Sequence, residues 1–375
     1  MRYYLWKMTR EEFTQIAREC STLLVGHSRK TVRERMLEIA ESPLAEYRTD
    51  FYGVGGYLAE LELEIAELLG KEAVVIMPSG TMAQPIALRI WSDRAKNNKT
   101  AFHPTCHLHL HEHVGYKELH HLEALLLGKS DSLFTFEDLQ ALSDKPASLL
   151  IELPQREIGG LLPTWDELSA ITDEAKAQGI RLHLDGARLW ECAPYYGRSY
   201  KEIASAFDSV YVSFYKILGG LPGAALAGPA DFIAEARIWM RRQGGNLFNM
   251  FPTAISAKLG MDHYLPEIPK YVAKAQEVAL LFAQIPGVRV VPEVPPTNMM
   301  HLHFQYSDAD VLDAAAEVAK EHSFLTLNYA APIPGGSKTE LSISSGALAI
   351  SSETLANLIG EFGRRLNLCE TVSSD

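Results

Sequence analysis

Two ionisable residues stand at the ends of short apolar stretches in the middle of the chain. Asp185 ends the stretch LHLD, and Lys216 follows the stretch SVYVSFY. Each is followed by a turn that contains glycine, as is typical of parallel α/β sheets that carry polar groups at the carboxyl ends of their strands. The pattern predicts that a carboxylate and an amine project into one crevice.

An amine in such a crevice has a specific chemical use. A partly desolvated lysine loses its proton easily and can form a Schiff base with a carbonyl group. Pyridoxal 5'-phosphate (PLP) supplies that carbonyl, and it needs an aspartate beside its ring nitrogen. Lys216 and Asp185 fit these two roles as a pair, although each alone is also typical of a strand end without a function.

A small-residue turn between a predicted strand and a predicted helix is a candidate phosphate site. Ser79, Gly80 and Thr81 follow the apolar stretch AVVIM and precede a helical pattern. Backbone N–H groups and the helix dipole favour an anion there, and small residues let a phosphate approach. The same three residues are equally typical of an ordinary helix cap, so both interpretations stay open.

Histidines are concentrated between His103 and His121, which hold seven of the thirteen in the chain. As a strand, the run His107, His109, His111 and His113 would share one face and indicate a zinc site; as a helix, only residues four apart would do so. Carboxylate and cysteine partners at ligand spacing are missing, so no metal ligand is assigned. A metal-dependent hydrolase nevertheless remains an alternative.

Length and composition restrict the class of protein. The chain has 375 residues, which exceeds the roughly 250–300 at which one core stops growing, so two domains are expected. A net charge of -12 without a long basic run argues against a nucleic-acid partner. The sequence has four scattered cysteines, and it shows neither a signal-peptide pattern nor a long apolar stretch; the cysteines are Cys20, Cys106, Cys192 and Cys369. These features predict a cytoplasmic enzyme without a membrane segment.

The order of predicted elements suggests three parts. Residues 1–50 are predicted to form an N-terminal helical segment that lacks a strand of its own. Residues 51–255 alternate strands with helices, which predicts a large α/β domain with a mostly parallel sheet, and residues 256–375 predict a smaller C-terminal α+β domain. Arg237, Arg241 and Arg242 are interpreted as a solvated helix end, where the dipole favours positive charge.

With these pieces assembled, the sequence resembles the threonine aldolase and β-eliminating lyase family of PLP enzymes, which have the aspartate-aminotransferase fold (fold type I). The resemblance runs from about Thr49 to the C-terminus. It is densest in FYGVGGYLAELELEIAELLGKEAVVIMPSGTMAQ, HLDGARLWE and SFYKILGGLPGAALAG. The combination of PSGTM, DGAR and a lysine at this spacing is specific to the family.

The resemblance implies a role for each matching residue. For the cofactor, it implies Lys216 as the Schiff-base lysine, Asp185 as the partner of the ring nitrogen, Arg188 near the ring hydroxyl, Ser79, Gly80 and Thr81 at the phosphate, His107 stacked on the ring, and Ser213 as a further contact. For the substrate, it implies Tyr52, Ser28, Gln155 and Arg188. Glu112 also matches a glutamate of the family.

The chain departs from the family on the substrate side. Ser28 is only a loose substitute for the serine of an N-terminal arginine-serine-aspartate-threonine motif. Gln155 or Arg156 stands where relatives have a threonine-histidine pair, Ser342 where they have the arginine that binds the α-carboxylate, and Ile217 where a glycine usually follows the lysine. Cofactor residues are therefore kept while substrate residues are not.

The function implied is cleavage of a β-hydroxy-α-amino acid, similar to L-threonine or L-allo-threonine, into glycine and an aldehyde. His107 is the candidate general base, because its ordinary pKa near 6.5 suits proton transfer at neutral pH. The alternatives with the same cofactor are β-elimination, transaldol transfer and transamination. A PLP-fold scaffold protein without activity is an alternative of a different class. By resemblance the chain is also expected to form a homo-oligomer, a dimer or a tetramer.

Overall fold

The structure is a computed structural model that describes residues 9–372, with side chains for residues 9–368. The predictions for residues 1–8 and for the side chain of Cys369 fall outside the described residues. The strands are β1 (Thr22–Leu23), β2 (Ala73–Met77), β3 (Lys99–Phe102), β4 (Glu123–Leu126), β5 (Ser148–Glu152), β6 (Arg181–Gly186), β7 (Ser209–Ser213), β8 (Ala224–Gly228), β9 (Val288–Val291), β10 (Met299–Phe304), β11 (Phe324–Leu325), β12 (Ala331–Ile333) and β13 (Gly336–Ser342).

The α-helices are α1 (Arg10–Glu19), α2 (Val32–Ala40), α3 (Gly56–Leu69), α4 (Gly80–Ala95), α5 (His107–Leu110), α6 (Gly115–Glu118), α7 (Phe136–Gln140), α8 (Trp165–Ala177), α9 (Ala193–Tyr196), α10 (Tyr200–Ser205), α11 (Ala230–Arg242), α12 (Phe251–Tyr264), α13 (Ile268–Phe282), α14 (Asp308–His322), α15 (Ser345–Leu348) and α16 (Ser352–Val372). In the described part of the chain, no helix combines the length and apolar character needed to cross a membrane.

The chain forms two compact units. The large unit comprises residues 30–157 and 161–266. The small unit comprises residues 158–160 and the described parts of residues 1–29 and 267–375. The predicted domain boundaries after residues 50 and 255 stay a prediction.

The large unit contains a mixed sheet in the order β2-β8-β7-β6-β5-β3-β4. Neighbours from β7 to β4 are parallel, while β8 is antiparallel to both β7 and β2. The link of residues 214–223 before β8 is shorter than the roughly dozen residues of a parallel crossover, which explains the reversal. The mostly parallel sheet of the predicted fold is confirmed.

The topology brings several strand ends to one edge of this sheet. Since β8 is antiparallel to both neighbours, β2 runs in the same direction as β7, β6 and β5. Helix α4 begins directly after β2 and packs on the sheet through Ala83, Ile86, Ala87 and Ile90, a spacing typical of one helix face. The start of α4 therefore lies at the edge where β5, β6 and β7 end.

The small unit is built on an antiparallel sheet in the order β12-β13-β10-β9. Helix α1 contributes Phe13 and Ala17 to the core of this unit. The prediction that residues 1–50 lack a strand is wrong, because Thr22 and Leu23 form β1, which pairs in parallel with β11. A two-residue strand is too short to show a hydrophobic period in the sequence.

The interpretation of Arg237 as part of a solvated helix end is also wrong. Its Nη2 atom donates to Oε2 of Glu62 on α3 and, at 3.1 Å, to the carbonyl oxygen of Val74 on β2. Glu62 is only 9% exposed, and its Oε1 atom accepts the N–H of Ile76 at 2.9 Å. This ion pair joins α3, β2 and α11, whereas Arg241 on the same helix is exposed.

The Glu62–Arg237 pair generates a prediction about stability. We expect Arg237→Ala to lower the free energy of unfolding by about 2 kcal/mol, because it leaves the Glu62 carboxylate buried without its cation, although the guanidinium is partly exposed. Denaturant unfolding monitored by circular dichroism measures the change. Arg241→Ala is the matched control and should change little; an equal loss in both variants would contradict the role of the pair.

Candidate active site

A pocket in the large unit lies at the edge where β5, β6 and β7 end. It brings together acidic, basic and aromatic side chains from five segments of the chain. The described residues that line it are Gly80, Thr81, Gln84, His107, Glu112, Glu152, Asp185, Ala187, Arg188, Tyr211, Tyr215 and Lys216. Asp185 and Lys216, which the sequence predicts to share one crevice, are both among them.

Asp185 lies near the end of β6 and is 1% exposed. Its Oδ2 atom accepts the side-chain N–H of Gln84 at 2.8 Å, and its Oδ1 atom accepts the backbone N–H of Ala187 at 3.0 Å. Carboxylate oxygens accept more than one hydrogen bond, so this group can still bind a protonated ring nitrogen. Gln84 was missed by the sequence analysis, because nothing in a helical glutamine indicates a partner on a distant strand.

Lys216 lies in the loop that follows β7. Burial and, after it, the positive charge of Arg188 lower the pKa of its amine to about 8, although nearby carboxylates act in the opposite direction. The loop is held by Nη1 of Arg35, which donates to the carbonyl oxygen of Gly219 at 2.9 Å. An amine that loses its proton this readily, on a loop that is held in place, is suited to attack a carbonyl carbon.

The beginning of α4 forms a narrow cradle. Ser79 caps the helix, and its Oγ atom accepts the N–H of Met82 at 3.2 Å. A Cβ atom added to Gly80 would lie 2.1 Å from the hydroxyl of Tyr211, so only glycine fits beside that ring. Gly80 and Thr81 line the pocket, where the N–H groups of the first helical turn can bind an anionic group.

His107 begins helix α5, which agrees with the helical interpretation of the histidine run. Its Nδ1 atom lies 2.9 Å from Oε1 of the buried Glu112. An ionised carboxylate accepts hydrogen bonds but donates none, so Nδ1 carries the proton. Nε2 is then left to accept a proton. The rings of His107 and His111 lie 5.2 Å apart, and Nε2 of His111 lies 2.8 Å from Oε1 of Glu157.

Two further findings concern the remaining histidines and the metal alternative. Nδ1 of His109 lies 3.1 Å from the hydroxyl of Tyr116, and Nδ1 of His103 lies 2.8 Å from that of Thr105. Within residues 9–372, no group of three or more His, Cys, Asp or Glu side chains is arranged to hold a metal ion. His107, His109 and His111 therefore make separate contacts with Glu112, Tyr116 and Glu157.

Several predicted site residues are not among the described residues that line the pocket. Tyr52 is 48% exposed and makes edge contacts with Phe51 and Phe248. Gln155 is buried, and its amide donates to Oγ1 of Thr105 at 3.2 Å and to Oε2 of Glu152 at 3.4 Å. The substrate roles of Tyr52 and Gln155 stay predictions.

Ser79 and Ser213 occupy structural positions beside the pocket. Ser79 is the helix cap described above, and Ser213 is the fully buried last residue of β7. Ser28 and Ser342 belong to the small unit, where the carbonyl oxygen of Ser342 accepts the N–H of Gly26 at 2.9 Å. The implied roles of Ser28, Ser79 and Ser213 likewise stay predictions.

The residues that line the pocket fit PLP in chemical type. A buried carboxylate with spare acceptor capacity, an amine of lowered pKa, a flat imidazole and a helix start that only glycine allows are all present in one pocket. Glu152, Tyr211 and Tyr215 line it as well and were not selected from the sequence. Their signal is weak, because a glutamate or tyrosine near a strand end has many ordinary explanations.

Comparisons with known proteins agree with this chemistry. The family model described as beta-eliminating lyase matches residues 32–305. The sequence is 26% identical over 271 residues to the low-specificity L-threonine aldolase 1 of Arabidopsis thaliana, covering 70% of this chain and 75% of that protein.

Two solved structures match over nearly the whole chain. A candidate L-allo-threonine aldolase from Listeria monocytogenes EGD-E is 39% identical with a TM-score of 0.92, and the match covers 95% of this chain and 99% of that one. A candidate aromatic amino acid beta-eliminating lyase/threonine aldolase from Exiguobacterium sp. 255-15 is 40% identical with a TM-score of 0.91, covering 95% and 100%. The fold and the resemblance predicted from the sequence are confirmed, and the chain belongs to the beta-eliminating lyase family, whose members are PLP-dependent lyases of fold type I that include threonine aldolases.

Proposed function

We propose that the protein binds PLP and cleaves β-hydroxy-α-amino acids such as L-threonine or L-allo-threonine into glycine and an aldehyde. The observation that carries this proposal is the common pocket of Lys216, Asp185 and the start of α4. The names of the similar proteins support the substrate class. β-Elimination is the second candidate, because the matching family model is named for that reaction.

The residues of the pocket would divide the work of holding the cofactor. Lys216 would bind its carbonyl carbon, Asp185 its protonated ring nitrogen, and the N–H groups of Gly80 and Thr81 its phosphate. Arg188 would lie near the ring hydroxyl and the substrate carboxylate. When bound, PLP supplies an electron sink for the bond that breaks at the substrate α-carbon.

His107 is the residue that we assign to the substrate hydroxyl. The Glu112 carboxylate holds the Nδ1 proton, so Nε2 can take the proton of the β-hydroxyl as the carbon–carbon bond breaks. The charge of Glu112 then stabilises the imidazolium that forms. The imidazole ring would also stack on the cofactor, which gives His107 two separable functions.

We propose a cytoplasmic location, supported by Cys20, Cys106 and Cys192, which are buried and free of disulfides. We also propose a homo-oligomer, such as a dimer or a tetramer. The exposed aromatic group of Phe51, Tyr52 and Phe248 supports it, because contiguous exposed apolar surface is typical of protein interfaces.

The proposed reaction predicts specific products. We expect the purified protein with PLP to show the absorbance of a lysine-bound cofactor and to release glycine and an aldehyde from L-threonine, L-allo-threonine or L-phenylserine. Lys216→Ala should lose both that absorbance and the activity. Ammonia and a keto acid as products would favour β-elimination. Failure of the protein to take up PLP would contradict the cofactor assignment.

Substitution of His107 separates its stacking from its proton transfer. We expect His107→Phe to keep PLP, because a flat ring remains, while kcat falls by about 10²-fold to 10⁴-fold, the usual contribution of a general base. Glu112→Gln should lower kcat less, since an amide oxygen still accepts a hydrogen bond from the Nδ1–H group but carries no charge. Loss of PLP with an unchanged kcat per bound cofactor would make His107 a stacking residue alone.

The pKa of Lys216 predicts how PLP uptake depends on pH. Because only the neutral amine attacks the carbonyl, the rate of uptake by the apoprotein should rise with pH through the Lys216 pKa of about 8 and then level off. Arg188→Gln removes a positive charge that lowers this pKa, so the midpoint should move to higher pH. Stopped-flow absorbance measures both curves, and a rate that does not respond to pH would contradict the assignment.

A further inference from the structure

A second carboxylate lies beside Asp185 in the pocket. Glu152, at the end of β5, is the backbone partner of Asp185 on β6 in the parallel ladder. Both side chains line the pocket, with Glu152 8% exposed and Asp185 1% exposed. Two carboxylates this close and this dry do not both ionise readily, because each negative charge opposes the other.

The hydrogen bonds indicate which of the two keeps the charge. Asp185 accepts from Gln84 at 2.8 Å and from the Ala187 N–H at 3.0 Å. Glu152 accepts from the Arg156 N–H at 3.2 Å and from Gln155 at 3.4 Å. Shorter hydrogen bonds stabilise an anion more, so Asp185 is the better site for the single negative charge.

We propose that Glu152 is held as a neutral carboxylic acid beside the ionised Asp185, so that the pair offers a single negative charge to a protonated ring nitrogen. One negative charge on this pair is enough to bind a protonated ring nitrogen. A second would favour the protonated form of the nearby Lys216, which cannot attack a carbonyl. Neutral Glu152 therefore leaves Asp185 as the charged partner for the ring and adds no negative charge that would raise the pKa of Lys216.

The surroundings of Glu152 agree with this assignment. Burial raises the pKa of Glu152 to about 7, and the charge of Asp185 raises it in the same direction, while Arg188 and Lys216 oppose the shift. The buried thiol of Cys106, whose own pKa burial raises, also interacts with Glu152, and His107, Glu112, Tyr211 and Tyr215 line the same pocket. The neutral form of Glu152 is thus present below about pH 7 and is lost as the pH rises through that value.

The inference rests on the proposed function, because the single charge of the pair matters for function only if the pocket binds a protonated ring nitrogen. Its test nevertheless uses the apoprotein. Infrared difference spectroscopy across pH detects the C=O stretch of a protonated carboxyl group without any cofactor. We expect Glu152→Gln to remove one such band from the spectrum recorded just below neutral pH, and Asp185→Asn to shift the loss of that band to lower pH.

Glu191 provides a matched control. It is 2% exposed, and burial raises its pKa to about 8, but it follows β6 and is not a strand partner of Asp185. Glu191→Gln should remove a different band, one that Asp185→Asn leaves in place. If Glu152→Gln does not fold, the response of the wild-type bands to Asp185→Asn still decides between a coupled and an independent glutamate.

PLP affinity gives a second readout. Below neutral pH, Glu152→Gln should weaken PLP binding much less than Asp185→Asn does, because a neutral amide replaces a neutral acid at position 152 while Asp185→Asn removes the charge that binds the ring nitrogen. The proposal is overturned if Glu152→Gln removes no carboxyl band, if Asp185→Asn leaves the titration of that band unchanged, or if Glu152→Gln loses PLP as Asp185→Asn does. If no form of the protein binds PLP, the proposed function fails while the infrared result still decides the state of Glu152.

Discussion

The hydrogen bonds that hold the Asp185 carboxylate are the interaction on which the pocket depends. Gln84 on α4 and the N–H of Ala187 keep a negative charge stable at a point that is almost fully buried. An isolated carboxylate at that depth would take up a proton and lose its use as a partner for a cation. The packing of α4 on the sheet therefore fixes the position of the start of that helix. It also places Gln84 where it stabilises the negative charge at the end of β6.

The chemistry-bearing residues could be predicted from the sequence because each follows a recognisable strand. Asp185, Lys216 and the turn before α4 lie where their apolar stretches end, and parallel strands bring such ends to one edge. Gln84 and Glu152 could not be found in this way. Their importance depends on which strands are neighbours and in which register, and local patterns in a sequence do not contain that information.

The same limit explains the errors in the predicted fold. β1 has two residues and exists only because β11 pairs with it. The ion pair of Arg237 with Glu62 depends on two helices that are far apart in the sequence. The local pattern of a basic helix end therefore predicted that Arg237 would be exposed to solvent. The roles of Tyr52, Ser28 and Gln155 toward substrate come from the resemblance alone and stay predictions, because the chain departs from the family on the substrate side.

The contact between Gly80 and Tyr211 restricts the order in which this sequence can change. Any side chain at Gly80 would meet the Tyr211 ring at 2.1–2.8 Å, so alanine cannot enter while the tyrosine remains. A smaller residue at position 211 would have to come first, and it would leave a void beside the start of α4 until Gly80 changed as well. The two positions are therefore coupled in evolution and in protein engineering, although 131 positions separate them in the chain.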